Sequence, residues 1–564
     1  MIAQPTHDGL RIGVFVCDCG LNIAGAVDTE AVTAYASTLP DVVCAMRNRY
    51  TCAEPGQNEI RTAIRDHKLN RVVVASCTPR THEPLFRDTL REAGLNPYLF
   101  EMANIRDQCS WVHMHQPQQA TQKAKALVRM AVAKARLIGP LEARCLPLNH
   151  DALVIGGGVA GMTAALALAD QGFGVHLVER EAELGGHARH VRYLFDGQDP
   201  QEFLQQLVQK TLKHPKVTTH LGAAVTGVEG FVGNFKTHLS GDGAAQEVEH
   251  GAVIVATGAE IFKPTEYLYG QNERVLTQVE LEQKLAGGEL EAGTVVMIQC
   301  VGSRETERPY CSRLCCAQAI RNALKLKELA PQTNVFVLYR DIRTYGFSEK
   351  YYRLAREKGV RFVRYEPEAK PQVAATQEGL RVQVRDPILA RLLAIDCDLL
   401  VLSTAVVPGA GGQELAQMLK VPLNQDRFFL EAHLKLRPVD FATDGVFLCG
   451  LAHSPKNLDE TIVQATAAAS RATTLLAKES LSPESAISQV VDENCDGCAY
   501  CIEPCPYHAL TLIEYMRSGA IKKTVEANEA LCKGCGVCQA TCPKNGIFVK
   551  HYRLDQIAAV VEAA

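Results

Sequence analysis

A multidomain α/β fold is predicted by three features of the sequence. They are an N-terminal run of alternating β-like and helical segments, a glycine-rich turn between a strand and a helix near residue 156, and a cysteine motif that occurs twice near the end. Their order predicts an N-terminal parallel α/β domain over 1–147, a dinucleotide-binding domain over 148–480 and a small cysteine-rich domain over 481–564. A chain of 564 residues is long enough for all three. Lys and Arg (59) nearly balance Asp and Glu (63), so there is no basic field of the kind that nucleic acid requires. No apolar run approaches the roughly 18 residues of a membrane span, and Met1–Leu10 lacks the apolar stretch of a secretory signal. A cytoplasmic location is expected. The 21 cysteines of such a chain are expected to hold metal rather than form disulfides, because cytosolic thiols are kept reduced.

In the first domain, strands are predicted over Arg11–Val16, Val42–Ala45, Arg71–Ala75 and Tyr98–Phe100, separated by amphipathic stretches such as Glu59–Asp66. Cys17 and Cys19 follow the first strand, Cys52 the second, Cys77 the third and Cys109 the fourth. Loops after parallel strands gather at the carboxyl edge of the sheet, so four of these five thiols could converge on one cluster. Cys44 falls within a strand and reads as core. Cys145, Cys397 and Cys449 read as structural, and Trp111, His113 and His115 as packing or solvated residues.

The second domain opens with Ala152-Leu-Val-Ile155, then Gly156-Gly-Gly-Val-Ala-Gly161, then a helical run. In a strand–turn–helix of this kind Gly156 permits the tight turn, Gly158 lets backbone approach a pyrophosphate, and Gly161 lets helix and strand pack closely. A second strand, Val175–Val178, ends in Glu179, at the spacing where an acid accepts hydrogen bonds from an adenosine ribose. Leu184-Gly185-Gly186, Val253-Ile-Val-Ala256-Thr257-Gly258 and Asp444-Gly-Val-Phe-Leu-Cys-Gly450 follow. Together these motifs resemble the two-dinucleotide-binding flavoproteins of the thioredoxin reductase and glutathione reductase type, over roughly Leu148 to Ser480. The resemblance implies FAD, with Gly156, Gly158, Val159, Ala160, Gly161, Glu179, Arg180, Gly185, Gly186, Ala256, Thr257, Gly258 and Gly450 as candidate contacts. Leu451 stands where the resemblance leads one to expect an aspartate.

Such flavoproteins carry a second glycine turn in an inserted subdomain, here about 293–405. After the strand Thr294–Ile298 this chain has Gln299-Cys300-Val301-Gly302, a turn not built for NAD(P)H. Cysteines occupy the place: Cys300, Cys311, Cys315 and Cys316, four within 17 residues. Cys311 and Cys315 are one helical turn apart, and a four-thiolate cage is expected, with a redox-active dithiol as the alternative. The Ala-rich stretch Ala465–Ala469 is predicted to be a helix against the flavin.

The last domain carries Cys495-x2-Cys498-x2-Cys501-x3-Cys505-Pro506, repeated as Cys532-x2-Cys535-x2-Cys538-x3-Cys542-Pro543. This is the bacterial ferredoxin motif, duplicated. Three close thiolates wrap one corner of a [4Fe–4S] cube and the fourth comes from the other motif. The expected sets are therefore Cys495, Cys498, Cys501 and Cys542, and Cys532, Cys535, Cys538 and Cys505, giving four clusters in the whole chain. Zinc ribbons lack the third step and the Cys-Pro ending.

Further motifs extend the resemblance: Val16-Cys-Asp-Cys-Gly-Leu-Asn-Ile-Ala-Gly25, Val73-Val-Ala-Ser-Cys-Thr-Pro-Arg80, Phe100-Glu-Met-Ala-Asn-Ile-Arg-Asp-Gln-Cys109, and Gln299–Arg304 with Tyr310–Cys316. Over nearly its whole length the chain resembles the A-type subunits of heterodisulfide reductase, the HdrA family of iron–sulfur flavoproteins. That resemblance implies a cytoplasmic multisubunit oxidoreductase with B- and C-type subunits and ferredoxin, and a dimer of such complexes. A hydrogenase, a formate dehydrogenase or an NADH-oxidising module is a candidate further partner. It also implies that the flavin splits electron pairs between ferredoxin and a disulfide- or quinone-type acceptor. Two departures stand out. No CxxCxxC lies between Gly222 and Gly293, where methanogen relatives carry a ferredoxin insert. Five residues after the vicinal cysteine pair, where relatives carry a lysine that faces the flavin, stands Arg321, the candidate catalytic residue. The alternatives are a non-bifurcating flavin and polyferredoxin relay, and an NAD(P)H-dependent flavin reductase.

Overall fold

A computed structural model describes residues 9–142, 145–241, 246–288, 292–482, 484–517 and 519–564. Residues 1–8 of the expected first domain lie outside them. The chain divides into two compact units: one combines residues 1–146 with 482–564, and the other is 147–481.

The first unit begins with four parallel strands, β1 (Ile12–Cys17), β2 (Val42–Asn48), β3 (Arg71–Ser76) and β4 (Phe100–Asn104), in the order β2-β1-β3-β4. β1 and β3 are buried at every position, as their unbroken apolar runs require of strands covered on both faces. Helices α1 (Thr29–Ala36), α2 (Glu54–Asp66), α3 (Pro79–Glu92) and α4 (Pro117–Ala135) alternate with them. Pro117 opens α4 at a position where a missing N–H costs nothing, and Asp28 caps α1 by accepting from Ala31 N. β4 lies two residues beyond the stretch expected from the sequence, because Tyr98 and Leu99 are buried in the turn that leads into it.

The second unit holds two parallel sheets. The first consists of β5 (Ala152–Ile155), β6 (Val175–Glu179), β7 (Val217–Leu221), β8 (Ala252–Val255) and a late strand, Val446–Leu448, with β5 between β6 and β8. α5 (Val159–Ala169) leaves the end of β5, and α6 (Pro200–Lys213) precedes β7. The inserted sheet is built from β9 (Val275–Thr277), β10 (Thr294–Val301), β11 (Asn334–Tyr339), β12 (Arg361–Arg364) and β13 (Leu399–Thr404), with α7 (Gln278–Gly287), α8 (Cys315–Leu329) and α9 (Glu349–Glu357). It takes in β9 and α7, ahead of the start expected at about 293; a three-residue strand carries too little pattern to be read from sequence. After β14 (Val446–Leu448) comes α10 (Leu458–Leu476). The alanine face of α10, Ala465, Ala468, Ala469 and Ala472, is buried against α5 rather than against a flavin.

The chain then returns to the first unit. β15 (Ser488–Val490) pairs with β18 (Ile547–Val549), and β16 (Leu510–Arg517) with β17 (Ala520–Ala527). Two helices belong to this part, α11 (Val537–Thr541) and α12 (Leu554–Glu562). α12 packs on α4, Gln556 donates to Leu137 O (2.9 Å), and Arg87 pairs with Glu484 (2.7 Å). The two ends of the chain thus share one compact unit. Among the described residues no helix is long and apolar enough to cross a membrane.

Candidate functional site

At the end of β5 the backbone turns through Gly156, whose φ of +111° is strained for any other residue. A Cβ on Gly161 would lie 1.8 Å from Gly156 O, so the first turn of α5 can pack here only with glycine. Gly158 is different: a Cβ there would meet no protein atom within 4 Å. It faces a cavity of about 490 Å³, within the range of small-molecule and cofactor sites. Gly156, Val159, Ala160, Glu179, Arg180, Gly185, Gly186, Ala256, Thr257 and Gly258 line the same space. Glu179 is fixed in place by accepting from Gly157 N (2.6 Å) and Glu181 N (2.9 Å). A glycine-floored cleft at a helix N-terminus, with an acid at the ribose distance, fits FAD.

Two expected contacts stand behind the wall. Gly161 serves the packing of helix against strand, and Gly450 is buried against Ala160 and donates to Gln464 (2.9 Å). The cavity is also lined by Gln278, Cys315, Gln318, Arg321, Thr404, Leu451 and Lys456. Of these, Cys315, Arg321 and Leu451 carried a signal in the sequence; the others reach the wall through tertiary folding. The Arg321 side chain is 17% exposed, and its Nε has no partner. It lies 3.7 Å from the fully buried carboxylate of Glu282, which also accepts from Arg192 N (2.7 Å) and Gln318 (3.0 Å). Burial pulls the guanidinium down from its usual range and Glu282 pushes it back up, so it stays charged.

The place of a second nucleotide turn is filled. Cys300, the last residue but one of β10, has φ of +63°, the Gln299 side chain is fully buried, and a Cβ on Gly302 would lie 2.4 Å from the ring of Phe262. Cys311 lies in the loop before α8, not on the helix, so its approach to Cys315 comes from the loop and not from helical spacing. Cys300, Cys311, Cys315 and Cys316 nevertheless come together. Each of the other three raises the Cys315 thiol, with a hydrogen bond to Cys316 the largest cause, while that same bond favours the Cys316 thiolate. Burial pushes Cys300 up to about 11, with Cys316 and Cys311 adding to it. Four cysteines gathered in this way fit a four-thiolate cage, in which metal charge would hold all of them as thiolates.

In the first unit the same reasoning separates the five N-terminal cysteines. Burial raises Cys77 to about 11, Arg106 lowers it, and Cys17, Cys19 and Cys52 raise it further. Cys17 is likewise raised by burial, eased by Thr51, and raised by Cys19 and Cys52. These four thiols are neighbours at the carboxyl edge of the sheet. Cys109 stands apart. It is fully buried among α4 residues, its Sγ reaches Ala120 O (3.1 Å), and no other cysteine affects it. Trp111 is about half exposed, and its ring packs under Arg106 (4.8 Å).

In the C-terminal part, Cys495, Cys498, Cys501 and Cys542 line one small cavity, with Pro543 beside them. Backbone N–H groups point at the sulfurs: Gly546 at Cys542 (3.2 Å), Ala509 at Cys505 (3.5 Å) and Ser488 at Cys532 (3.4 Å). Ser488 Oγ also lies 3.1 Å from Cys538 Sγ. Donors aimed at sulfur suit thiolates that carry a cluster's negative charge. Among the described residues no three His, Cys, Asp or Glu side chains close on a point as a single-ion site does, whereas a cube spreads its ligands over separate corners.

Residues 150–298 match the model of the pyridine nucleotide-disulphide oxidoreductases, and residues 494–546 that of a 4Fe-4S dicluster domain. One relative, the second iron-sulfur A-type subunit of the CoB–CoM heterodisulfide reductase of Methanopyrus kandleri, is 39% identical, over 89% of this chain and 91% of its own. The A-type subunit of the H2:CoB-CoM heterodisulfide,ferredoxin reductase of Methanothermobacter marburgensis is 38% identical, over 100% of this chain and 98% of its own. The chain belongs to the HdrA family, the A-type subunits of heterodisulfide reductase. As an HdrA protein it is an oxidoreductase, an electron-transfer component with FAD and iron–sulfur clusters as cofactors. Among solved structures, the thioredoxin reductase of T. acidophilum is similar at 16% identity and a TM-score of 0.41, over 58% of this chain and 97% of its own.

Proposed function

We propose that this chain distributes electrons within a cytoplasmic heterodisulfide reductase-like complex, between ferredoxin-level carriers and a disulfide- or quinone-type acceptor on B- and C-type partner subunits. The observation that carries the reading is the shape of one cavity. Its glycines suit the pyrophosphate of FAD, and its wall also includes Cys315 of the four-cysteine group, while the position of a nicotinamide turn is filled by Cys300 and Phe262. Bound FAD exchanges electrons singly or in pairs, and iron–sulfur clusters exchange them one at a time.

The chain's own residues place and tune these groups. Gly156, Gly158 and the start of α5 would receive the pyrophosphate, and Glu179 the ribose. Cys300, Cys311, Cys315 and Cys316 would hold one cluster, Cys17, Cys19, Cys52 and Cys77 a second, and the two C-terminal sets two more, for four in total. Arg321 supplies a fixed positive charge on the cavity wall and, unlike a lysine, releases no proton. With the wall's one cysteine, Cys315, assigned to a cluster, substrate chemistry belongs in this reading to the partner subunits. The printed names of relatives, which include the A-type component of a ferredoxin:CoB-CoM heterodisulfide reductase, support ferredoxin as a partner. A hydrogenase, formate dehydrogenase or NADH-oxidising module would feed such a complex, and a dimer of complexes would house it.

Anaerobic mixing of the fully loaded protein with candidate donors tests this. Reduced ferredoxin is expected to bleach the flavin, and NADH or NADPH to leave it oxidised. Rapid bleaching by a nicotinamide would replace the proposal with a flavin reductase.

A further inference from the structure

We propose that Arg304 and Gln299 donate hydrogen bonds to the cluster held by Cys300, Cys311, Cys315 and Cys316, and that their donation makes this cluster easier to reduce. The inference rests on the four-cysteine cluster proposed above and names groups that set its potential. Both side chains carry buried polar atoms with nothing to bond. Gln299 is fully buried, and neither its Oε1 nor its Nε2 has a partner. Arg304 Nη1 is buried and unpartnered as well, although Nη2 of the same guanidinium reaches Asp341 (2.7 Å). Buried donors are almost always satisfied, by protein, by water or by a bound group.

The two side chains approach the cysteines by different routes. Along β10, Val295 and Met297 pack with Ala319 and Ile320 of α8, whereas Val296 and Ile298 belong to the core on the opposite face. Strand alternation puts Gln299 on the α8 side, one step beyond Met297, and Cys315 and Cys316 open that helix. Arg304 comes in through Asp341, whose backbone O lies 3.7 Å from Cys316 Sγ. Burial lowers the Arg304 guanidinium, and Cys300 is first among the groups that raise it. Burial in turn pushes the Cys300 thiol up, and Arg304 and Arg340 pull it back.

The turn between them is held under strain. Cys300 (φ +63°) and Arg304 (φ +58°) both lie in the left-handed region that favours glycine. Such conformations persist only where their surroundings fix them, and they gather at functional sites. Here the Arg340 side chain, only 4% exposed, donates to Arg304 O (2.7 Å) and lies over the ring of Tyr365 (5.6 Å). The Tyr365 hydroxyl donates to Gln299 O (2.7 Å), so both ends of the turn are pinned. The clamp fixes the backbone from which the unpartnered donors project.

One-electron reduction adds a negative charge to a cluster, with no bond made or broken. A donor aimed at its sulfurs stabilises the reduced form more than the oxidised one, and a guanidinium does so without titrating. In the C-terminal sets the donors to sulfur are backbone N–H groups; here they are side chains, which substitution can remove.

The test is an anaerobic titration of the iron- and FAD-loaded full chain with dithionite as electron donor. The EPR signals of the reduced clusters are followed, and iron per chain is determined in every sample. Cys315→Ser combined with Cys316→Ser should lose about four irons, and the signal that disappears with them belongs to this cluster. In Arg304→Met that signal should move to a more negative midpoint by about tenfold in the one-electron equilibrium, about 59 mV, while the other midpoints stay in place. Gln299→Leu should move it the same way by less. Arg304→Lys, which keeps the charge without the fork, should fall between Arg304→Met and wild type. Where Arg304→Met loads no iron at this site, Gln299→Leu and Arg304→Lys decide. Unchanged midpoints in iron-complete variants of Arg304 and Gln299 would overturn the proposal. Full iron in the double cysteine variant would instead remove the cluster on which it rests, a separate failure.

Discussion

The N-terminal and C-terminal cysteine groups share one compact unit and gather their thiols by opposite means. The C-terminal sets come from two short loops in which three thiols follow at fixed spacing and turn residues aim backbone N–H groups at sulfur. The N-terminal set has one or two thiols on each of three loops, brought together because β1, β2 and β3 run parallel and end at the same edge. In the first case three of the four proposed ligands are written locally; in the second the proposed set is written in the topology. Spacing alone therefore predicts the C-terminal ligands proposed above, and only the fold separates Cys109 from the other four N-terminal cysteines.

The largest test of this contrast exchanges the crossing ligands. Cys542→Ser should lose about four irons per chain from the set of Cys495, Cys498 and Cys501, and Cys505→Ser about four from the other. Iron analysis with EPR of the reduced proteins distinguishes the two. If Cys542→Ser instead lost the cluster of Cys532, Cys535 and Cys538, and Cys505→Ser that of Cys495, Cys498 and Cys501, each motif would hold its own fourth ligand. In the N-terminal group Cys77→Ser should also cost about four irons, whereas Cys109→Ser should keep its full complement and lose about 1 kcal/mol of stability from the buried contact with Ala120. Equal iron loss from both variants would return Cys109 to the ligand set.

Much of the fold was legible because its signals are local. Four strands of the first domain, the glycine turn at Gly156 and the repeated cysteine motif each announce themselves within a few residues. β9 did not, being three residues long, and neither did the union of the two chain ends, which depends on contacts such as Gln556 with Leu137 across more than four hundred residues. At the cavity, the glycines and Glu179 follow from a known turn geometry. Lys456 had no sequence signal, since a single lysine shows its burial and its neutral partners only once the loop from Gly450 is folded. The placement of Cys311 off the helix was hidden for the same reason: a one-turn spacing is equally compatible with a loop.

A smaller effect concerns how the two cysteine-bearing parts of the first unit stay joined. His551 bonds to Gly139 O (2.7 Å), and burial lowers its imidazole to about 4, with Lys134 and Arg87 lowering it and Gly139 and Glu484 opposing. The neutral ring is the folded form, and the unfolded chain takes up its proton near pH 6.5. Stability is therefore complete above about pH 6.5 and declines as pH falls from there toward 4, by up to about 3 kcal/mol. Thermal unfolding from pH 7 to pH 5 should show the decline, and His551→Asn should flatten it. A pH-independent midpoint in the wild type would mean that this junction carries no proton linkage.

The most direct test of the account is an anaerobic redox titration of the flavin in the iron- and FAD-loaded protein, followed by absorbance and EPR. Electron distribution by splitting pairs predicts crossed one-electron potentials, with the flavin passing between its oxidised and fully reduced forms in a single two-electron wave. Two well-separated one-electron waves would contradict it and leave the chain a relay.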